Sequence, residues 1–167
     1  KYNEIDYVIL GEGEETFLDL TKYIMDKNHS LNSIEGIAFR DNGKIKLNPK
    51  TKFIEDLDSL PFPDYDLINM NDYKMDTTKW HNPKNLRIGQ PFPIITSRSC
   101  PNQCNFCSMW LVHGKKIRFR SPENVLNQIE NLYDERGVNY FQFQDDNLTW
   151  DKERTLDICK GILERKM

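Results

Sequence analysis

Cys100, Cys104 and Cys107 fall within eight residues, in the order C-P-N-Q-C-N-F-C. The run before them, Phe92 to Thr96, is apolar and β-branched, so it reads as a buried strand that delivers the thiols at its end. A loop this short keeps the three sulfurs close to one small object. An electron-transfer iron–sulfur cluster takes four cysteine ligands. Here the remaining cysteine, Cys159, lies far along the chain in a helical pattern. Three thiolates on three irons of a 4Fe–4S cluster would leave the fourth iron open to an outside ligand.

Two plainer readings compete. A zinc site wants four ligands, commonly two C-x2-C pairs or one pair with histidines. His113 is the nearest candidate for a fourth ligand, and its spacing from Cys107 fits poorly. A disulfide framework needs partners, and three clustered thiols with one distant thiol do not pair well.

The motif C-x3-C-x-aromatic-C, with Phe106 as the aromatic, resembles that of the radical S-adenosylmethionine (radical SAM) superfamily. T-S-R-S-C-P-N-Q-C-N-F-C-S, H-G-K-K-I-R-F-R-S-P-E-N-V and F-Q-D-D-N-L-T-W-D are similar to its cobalamin-associated branch, as are G-E-G-E and D-L-D-S-L-P-F-P-D-Y-D-L. Ser99 departs from the glycine usual before the first cysteine, which predicts a less permissive turn. The resemblance implies that Cys100, Cys104 and Cys107 hold a 4Fe–4S cluster whose open iron is chelated by S-adenosylmethionine. One electron then cleaves the cofactor reductively to a 5′-deoxyadenosyl radical, for cobalamin-linked methyl transfer or ring cyclisation such as a porphyrin-ester cyclase-like reaction. Phe106 would flank the adenine, and Asp145, Asp146 and Asn147 would anchor the methionine end. No residue is singled out as catalytic. The implied partners are a small-molecule substrate and an electron donor such as a flavodoxin or ferredoxin. A methylthiotransferase of tRNA or protein shares the cysteine motif, but its expected glutamine-asparagine after the second strand is replaced here by Asp-Asp-Asn. A zinc-stabilised, non-enzymatic binding module is the third reading.

The implied fold is α/β: the tail of a Rossmann-like cobalamin-binding domain with a hairpin (1–47), a proline-rich linker (48–93), and the first β/α units of a partial radical SAM (β/α) barrel (94–167). The chain would be a fragment of a longer protein, holding cobalamin only at full length and self-associating through uncovered apolar surface. Four cysteines, three of them clustered, suit a reducing compartment such as the cytoplasm. No apolar run approaches the ~20 residues that span a bilayer. A net charge of −3 argues against a dominant nucleic-acid surface.

Along the chain, Ile5 to Leu10 reads as a strand; G-E-G-E-E-T follows, then an amphipathic helix through about Lys27, with Phe17, Leu20 and Ile24 on one face and Leu18 beside it. Gly11 and Gly13 lack a third glycine and a P-loop lysine, so the turn reads as structural, with acidic residues suited to a helix N-terminus. Asp41-Asn42-Gly43 signals a hairpin. In the linker, Phe62, Tyr65, Leu67 and Ile68 are expected to dock on neighbouring structure, and Tyr73 and Trp80 to pack. Ser121-Pro122-Glu123 starts a helix and Gly137 ends it, with Val125, Ile129 and Leu132 as its stripe. Val138 to Phe143 then reads as a strand parallel to the first. Asp145-Asp146-Asn147 follows its carboxyl end, the rim where α/β sheets bind ligands, and could equally cap the last helix, Thr149 to Arg165. That helix presents Leu156, Cys159, Ile162 and Leu163, with Cys159 expected to be buried. His113 reads as a solvent-exposed loop residue, and Arg118 and Arg120 as braces for the helix at Ser121.

Overall fold

The computed structural model describes residues 4–26, 30–73 and 90–167. Lys27 and Trp80 lie outside the described residues. Two compact units are present: 1–55 with 99–117, and 56–98 with 118–167.

The first unit contains β1 (Tyr7–Ile9), α1 (Glu14–Asp26), β2 (Ile37–Asp41), β3 (Lys44–Asn48) and α2 (Met109–His113). β2 and β3 form the expected hairpin. Asp41 pairs with Lys44, which leaves Asn42 and Gly43 at φ 50° and 77° as a two-residue turn. Two positive φ values match the strand twist, and Asn-Gly tolerates them. β1 joins the other edge of β2, antiparallel, with Tyr7 opposite Phe39. Alternation sends Ile37 and Phe39 inward, where Leu20 and Ile34 complete the core.

α1 is rotated from its expected face. Leu20 and Thr16 are buried, whereas Phe17 (61% exposed), Leu18 and Ile24 face outward. The cause is polar: Thr16 Oγ1 donates to the Glu35 carbonyl at 2.9 Å and fixes the first turn of the helix against the loop before β2. The stripe from Phe17 to Ile24 is a second apolar face that the sheet of this unit does not cover.

The second unit contains β4 (Phe92–Ile94), β5 (Ser97–Arg98), β6 (Arg118–Phe119), α3 (Pro122–Arg136), β7 (Phe141–Phe143) and α4 (Lys152–Glu164). β4 and β7 are parallel, with Ile94 opposite Phe143, as a strand–helix–strand crossover requires. β5 turns away to pair antiparallel with β6. Both strands of the parallel pair are shorter than the apolar runs that predicted them. α3 has the predicted ends: the Ser121 hydroxyl accepts from Asn124 N–H, Pro122 opens the helix, and Gly137 closes it at φ 64°, ψ 24°. Val125, Ile129 and Leu132 pack on Phe92, Ile94 and Ile158 to form the core.

The linker contributes through its aromatics. Short 3-10 turns capped by Asp56 and Asp64 position Tyr65 edge-on to Phe92, ring centroids 4.9 Å apart. Phe62 lies under the Arg120 guanidinium at 5.4 Å. Leu67 and Ile68 are exposed rather than docked, because the turn capped by Asp64 spends its inward position on Tyr65. Tyr73 is also exposed.

α4 is rotated in the same way as α1. Its cap is Asp151, not the Asp-Asp-Asn run. Arg154, Ile158 and Gly161 face inward, Ile162 is half-buried, and Leu156, Cys159 and Leu163 are exposed. Cys159 is thus not the buried thiol expected. Arg154 donates to the Thr96 and Arg120 carbonyls, and those bonds set the rotation of the helix. Among the described residues no helix is long and apolar enough to cross a membrane.

Gly161 is where α4 meets α3. A Cβ there would lie 2.2 Å from Leu126 Cδ1. Gly161→Ala is therefore expected to lower stability by about 1–3 kcal/mol through overpacking, more than offsetting its helix-propensity gain of about 1 kcal/mol. Urea unfolding checks this, and the loss should shrink when Leu126→Ala is combined with it.

Candidate cofactor-binding site

The cysteine loop begins directly after β5 and belongs to the first unit. Ser99 opens it in the left-handed region at φ 71°, fully buried. That conformation favours glycine, as the sequence led one to expect. The serine has a use that glycine lacks: its hydroxyl donates to the Gly114 carbonyl at 2.6 Å and closes the loop at its base. Gly114 at φ 73° ends α2, and a Cβ there would press on the Phe53 ring at 3.0 Å.

Between these ends the chain turns tightly. Cys107 N–H donates to the Cys104 carbonyl at 3.0 Å, and Leu111 N–H to the Ser108 carbonyl at 2.9 Å, the start of α2. Cys100 and Cys107 are half-buried, Cys104 is exposed, and no disulfide joins any of them. Asn102 Nδ2 lies 3.5 Å from Cys100 Sγ. Phe106 is 92% exposed. Among the described residues, no three His, Cys, Asp or Glu side chains meet where a single ion could sit. A zinc ion asks its ligands to converge at about 2.3 Å from one point. A 4Fe–4S cube takes each thiolate on a separate iron, so three thiols on one turn, half-buried or exposed, suit it by donor type and placement.

His113, expected in solvent, instead has a carboxylate beside it. Its Nδ1 lies 3.2 Å from Glu12 Oε1. Glu12 is a buried residue of the N-terminal turn rather than a solvated helix-end acid, and its Oε2 accepts from Ile54 N–H at 3.1 Å.

Asp145, Asp146 and Asn147 lie past β7 in the second unit. Asp145 Oδ1 accepts from Thr96 N–H at 3.0 Å, Thr96 Oγ1 at 2.9 Å and Ser97 Oγ at 2.5 Å. Its Oδ2 is buried with no hydrogen-bond partner. Asp146 is exposed, and Asn147 is half-buried before a short 3-10 turn, without a side-chain capping bond there. Arg120 holds Ile95 O, Asn124 and Gln128, the bracing role expected of it. Arg154, which the sequence reading passed over, sits 5.1 Å from the Phe119 ring with Nη1 buried and unpartnered. Burial lowers the pKa of both guanidiniums, and Asp145 and Asp151 oppose this at Arg154. The available signal for Arg154 was its spacing of i, i+4 and i+8 with Ile158 and Ile162.

No family model matches the chain. Curated relatives do. It is 38% identical over 159 residues to the uncharacterized methyltransferase PH0819 of Pyrococcus horikoshii, covering 95% of this chain and 32% of the relative. It is 32% identical to the cytidylyl-2-hydroxyethylphosphonate methyltransferase of Streptomyces wedmorensis, covering 96% and 33%. It is 31% identical to the anaerobic magnesium-protoporphyrin IX monomethyl ester cyclase of Cereibacter sphaeroides, covering 96% and 25%. Among solved structures, the cobalamin-dependent S-adenosylmethionine radical enzyme OxsB matches with TM-score 0.69 at 23% identity, over 94% of this chain and 21% of that one. TsrM of Kitasatospora setae, a radical S-adenosylmethionine methyltransferase, matches with TM-score 0.65 at 16% identity, over 99% and 30%. The chain is similar in sequence to methyltransferases and a cyclase, and in fold to cobalamin-dependent S-adenosylmethionine radical enzymes. The chain spans a quarter to a third of the length of the curated relatives quoted. Its mixed α/β fold is that of a portion of the solved enzymes.

Ser99→Ala keeps a Cβ at positive φ and loses a hydrogen bond, so it should cost about 1 kcal/mol. Ser99→Gly loses the same bond but releases about 1 kcal/mol of left-handed strain, so its urea midpoint should fall near wild type. Asp145→Ala strands three donors and should cost at least about 2 kcal/mol, whereas exposed Asp146→Ala should stay within about 0.5 kcal/mol.

Proposed function

We propose that Cys100, Cys104 and Cys107 ligate a 4Fe–4S cluster and that the whole protein is a cobalamin-dependent radical SAM methyltransferase. The observation that carries this reading is the strained, fastened loop that presents three thiols and no disulfide. When bound, the cluster supplies the single electron that cleaves S-adenosylmethionine reductively. The chain's own residues hold and orient. The loop leaves Phe106 exposed beside Cys107, available to lie along an adenine. Asp145 Oδ2, buried and lacking a partner, is the acceptor this chain keeps for an ammonium group. Asp146 and Asn147, next in the chain, complete the anchor for the methionine end of the cofactor. Asp145 therefore has two jobs: Oδ1 braces Thr96 and Ser97, and Oδ2 receives the ligand.

Methyl transfer is favoured because the relatives at 38% and 32% identity are methyltransferases. Ring cyclisation is the second reading, supported by the cyclase at 31% identity. In this reading 1–47 is the tail of a cobalamin-binding domain, 48–93 a linker and 94–167 the start of the barrel. Cobalamin is held at full length only. A small-molecule substrate and a flavodoxin- or ferredoxin-type donor are the partners, in the reducing cytoplasm.

Anaerobic reconstitution with iron and sulfide tests the ligand set. The wild-type chain should acquire a broad visible absorbance. Cys100→Ala, Cys104→Ala or Cys107→Ala should each abolish it, and Cys159→Ala should leave it intact. Full iron and sulfide content in the triple variant would refute the assignment. Zinc without iron after anaerobic purification would favour a structural metal module.

A further inference from the structure

We propose that Glu12 and His113 are positioning residues for the cysteine loop: a buried carboxylate from the N-terminal Gly-Glu-Gly turn fastens the limb of the loop that leaves Cys107. This inference rests on the cluster reading above and deepens it.

The side chain of Glu12 is fully buried. Burying a carboxylate is costly unless its oxygens are hydrogen-bonded. The two oxygens are divided between two segments: Oε2 takes Ile54 N–H at 3.1 Å, and Oε1 faces His113 Nδ1 at 3.2 Å. With Glu12 ionised the carboxylate only accepts, and the bond calls for the ring tautomer protonated at Nδ1. His113 is the last residue of α2, the helix that follows the third cysteine.

The backbone around the pair is packed too closely for it to form elsewhere. A Cβ on Gly11 would come within 3.1 Å of the Val112 carbonyl oxygen, one residue before His113. Gly114, one residue after it, abuts the Phe53 ring. Glycines at 11 and 114, both at positive φ, let the N-terminal turn and the loop approach each other. At the surface, Lys116 pairs with Glu55 at 2.5 Å. The other limb of the loop is tied in by Ser99 Oγ to Gly114 O, and so to the same point. The three cysteines therefore hang between one backbone clasp and one buried carboxylate. Their spacing depends on a residue that lies 101 positions upstream of the histidine it holds.

Glutamine at position 12 can keep Ile54 through its carbonyl oxygen but meets His113 Nδ1 only as an amide donor to the other ring tautomer, so the charge-assisted bond is lost. Asparagine at position 113 keeps a donor near the place of Nδ1, and alanine does not.

The test compares wild type, Glu12→Gln, His113→Ala and His113→Asn by two readouts. The first is amide hydrogen exchange of the metal-free chain. The second is the electron paramagnetic resonance line shape of the reduced, reconstituted cluster. Glu12→Gln and His113→Ala should speed exchange across residues 99–117 roughly tenfold or more, with α3 keeping wild-type protection as the folding control. They should also broaden the cluster signal, and His113→Asn should restore both properties toward wild type. Unchanged loop exchange in both Glu12→Gln and His113→Ala would overturn the proposal, as would loss of protection throughout α3. A wild-type chain that takes up no iron overturns the cluster reading instead, and the metal-free exchange still decides the fastening.

Discussion

Thr96 is the residue on which the second unit depends. It is fully buried one step beyond the parallel strand pair, and each of its polar groups is used. Its N–H and hydroxyl donate to Asp145, and its carbonyl accepts from Arg120 N–H and from the Arg154 guanidinium. Four segments meet there: the corner between β4 and β5, the residue after β6, the end of β7 and the first turn of α4. A buried corner of backbone cannot be left unsatisfied, since each orphaned group costs about 1–3 kcal/mol. The chain meets that demand with charged partners, whose hydrogen bonds are stronger than neutral ones. The corner that leads into the cysteine loop is thereby fixed before any ligand arrives.

The same economy orients the helices. α1 and α4 each carry two apolar stripes, and either could face a core. In each case a polar side chain in the first turn selects one. Thr16 bonds the Glu35 carbonyl, and Arg154 bonds the Thr96 and Arg120 carbonyls. The apolar residues on the rejected stripes, Phe17 and Ile24 on α1 and Leu156 and Leu163 on α4, are left exposed. Burying one more leucine stabilises by about 2 kcal/mol, comparable with what stranding a buried carbonyl or guanidinium would cost. Polar geometry is directional and hydrophobic burial is not, so the directional term breaks the tie.

The cysteine loop shows the complementary pattern, fixed at the base and open at the tip. Left-handed backbone at Ser99 and Gly114, the bond between them, and the Glu12 carboxylate hold the base. Cys104 and Phe106 are exposed at the tip. Strain confined to a base that is over-determined by hydrogen bonds is how a protein presents reactive groups in a set arrangement. Serine in place of glycine at position 99 fits that design, because it exchanges conformational ease for a bond.

Local chemistry by itself determined the punctuation of this chain. The hairpin at Asn42-Gly43, both ends of α3, the parallel strand pair and the three-thiol loop were all legible in the sequence. Each depends on a short-range rule, such as positive φ, a cap, a period or a spacing. The Cys-x3-Cys-x2-Cys spacing also carried the resemblance to the radical SAM superfamily. Tertiary structure decided which helix face turns inward, why Cys159 is exposed, and that Glu12 and His113 meet across a hundred residues. It also decided that Asp145 braces Thr96 and Ser97 through one oxygen, while the other is buried with no hydrogen-bond partner among the described residues. Those outcomes depend on where distant carbonyls and amides end up in three dimensions. A one-dimensional pattern of apolar residues contains no term for that, because hydrophobicity sets how much surface is buried while hydrogen-bond direction sets which surface it is.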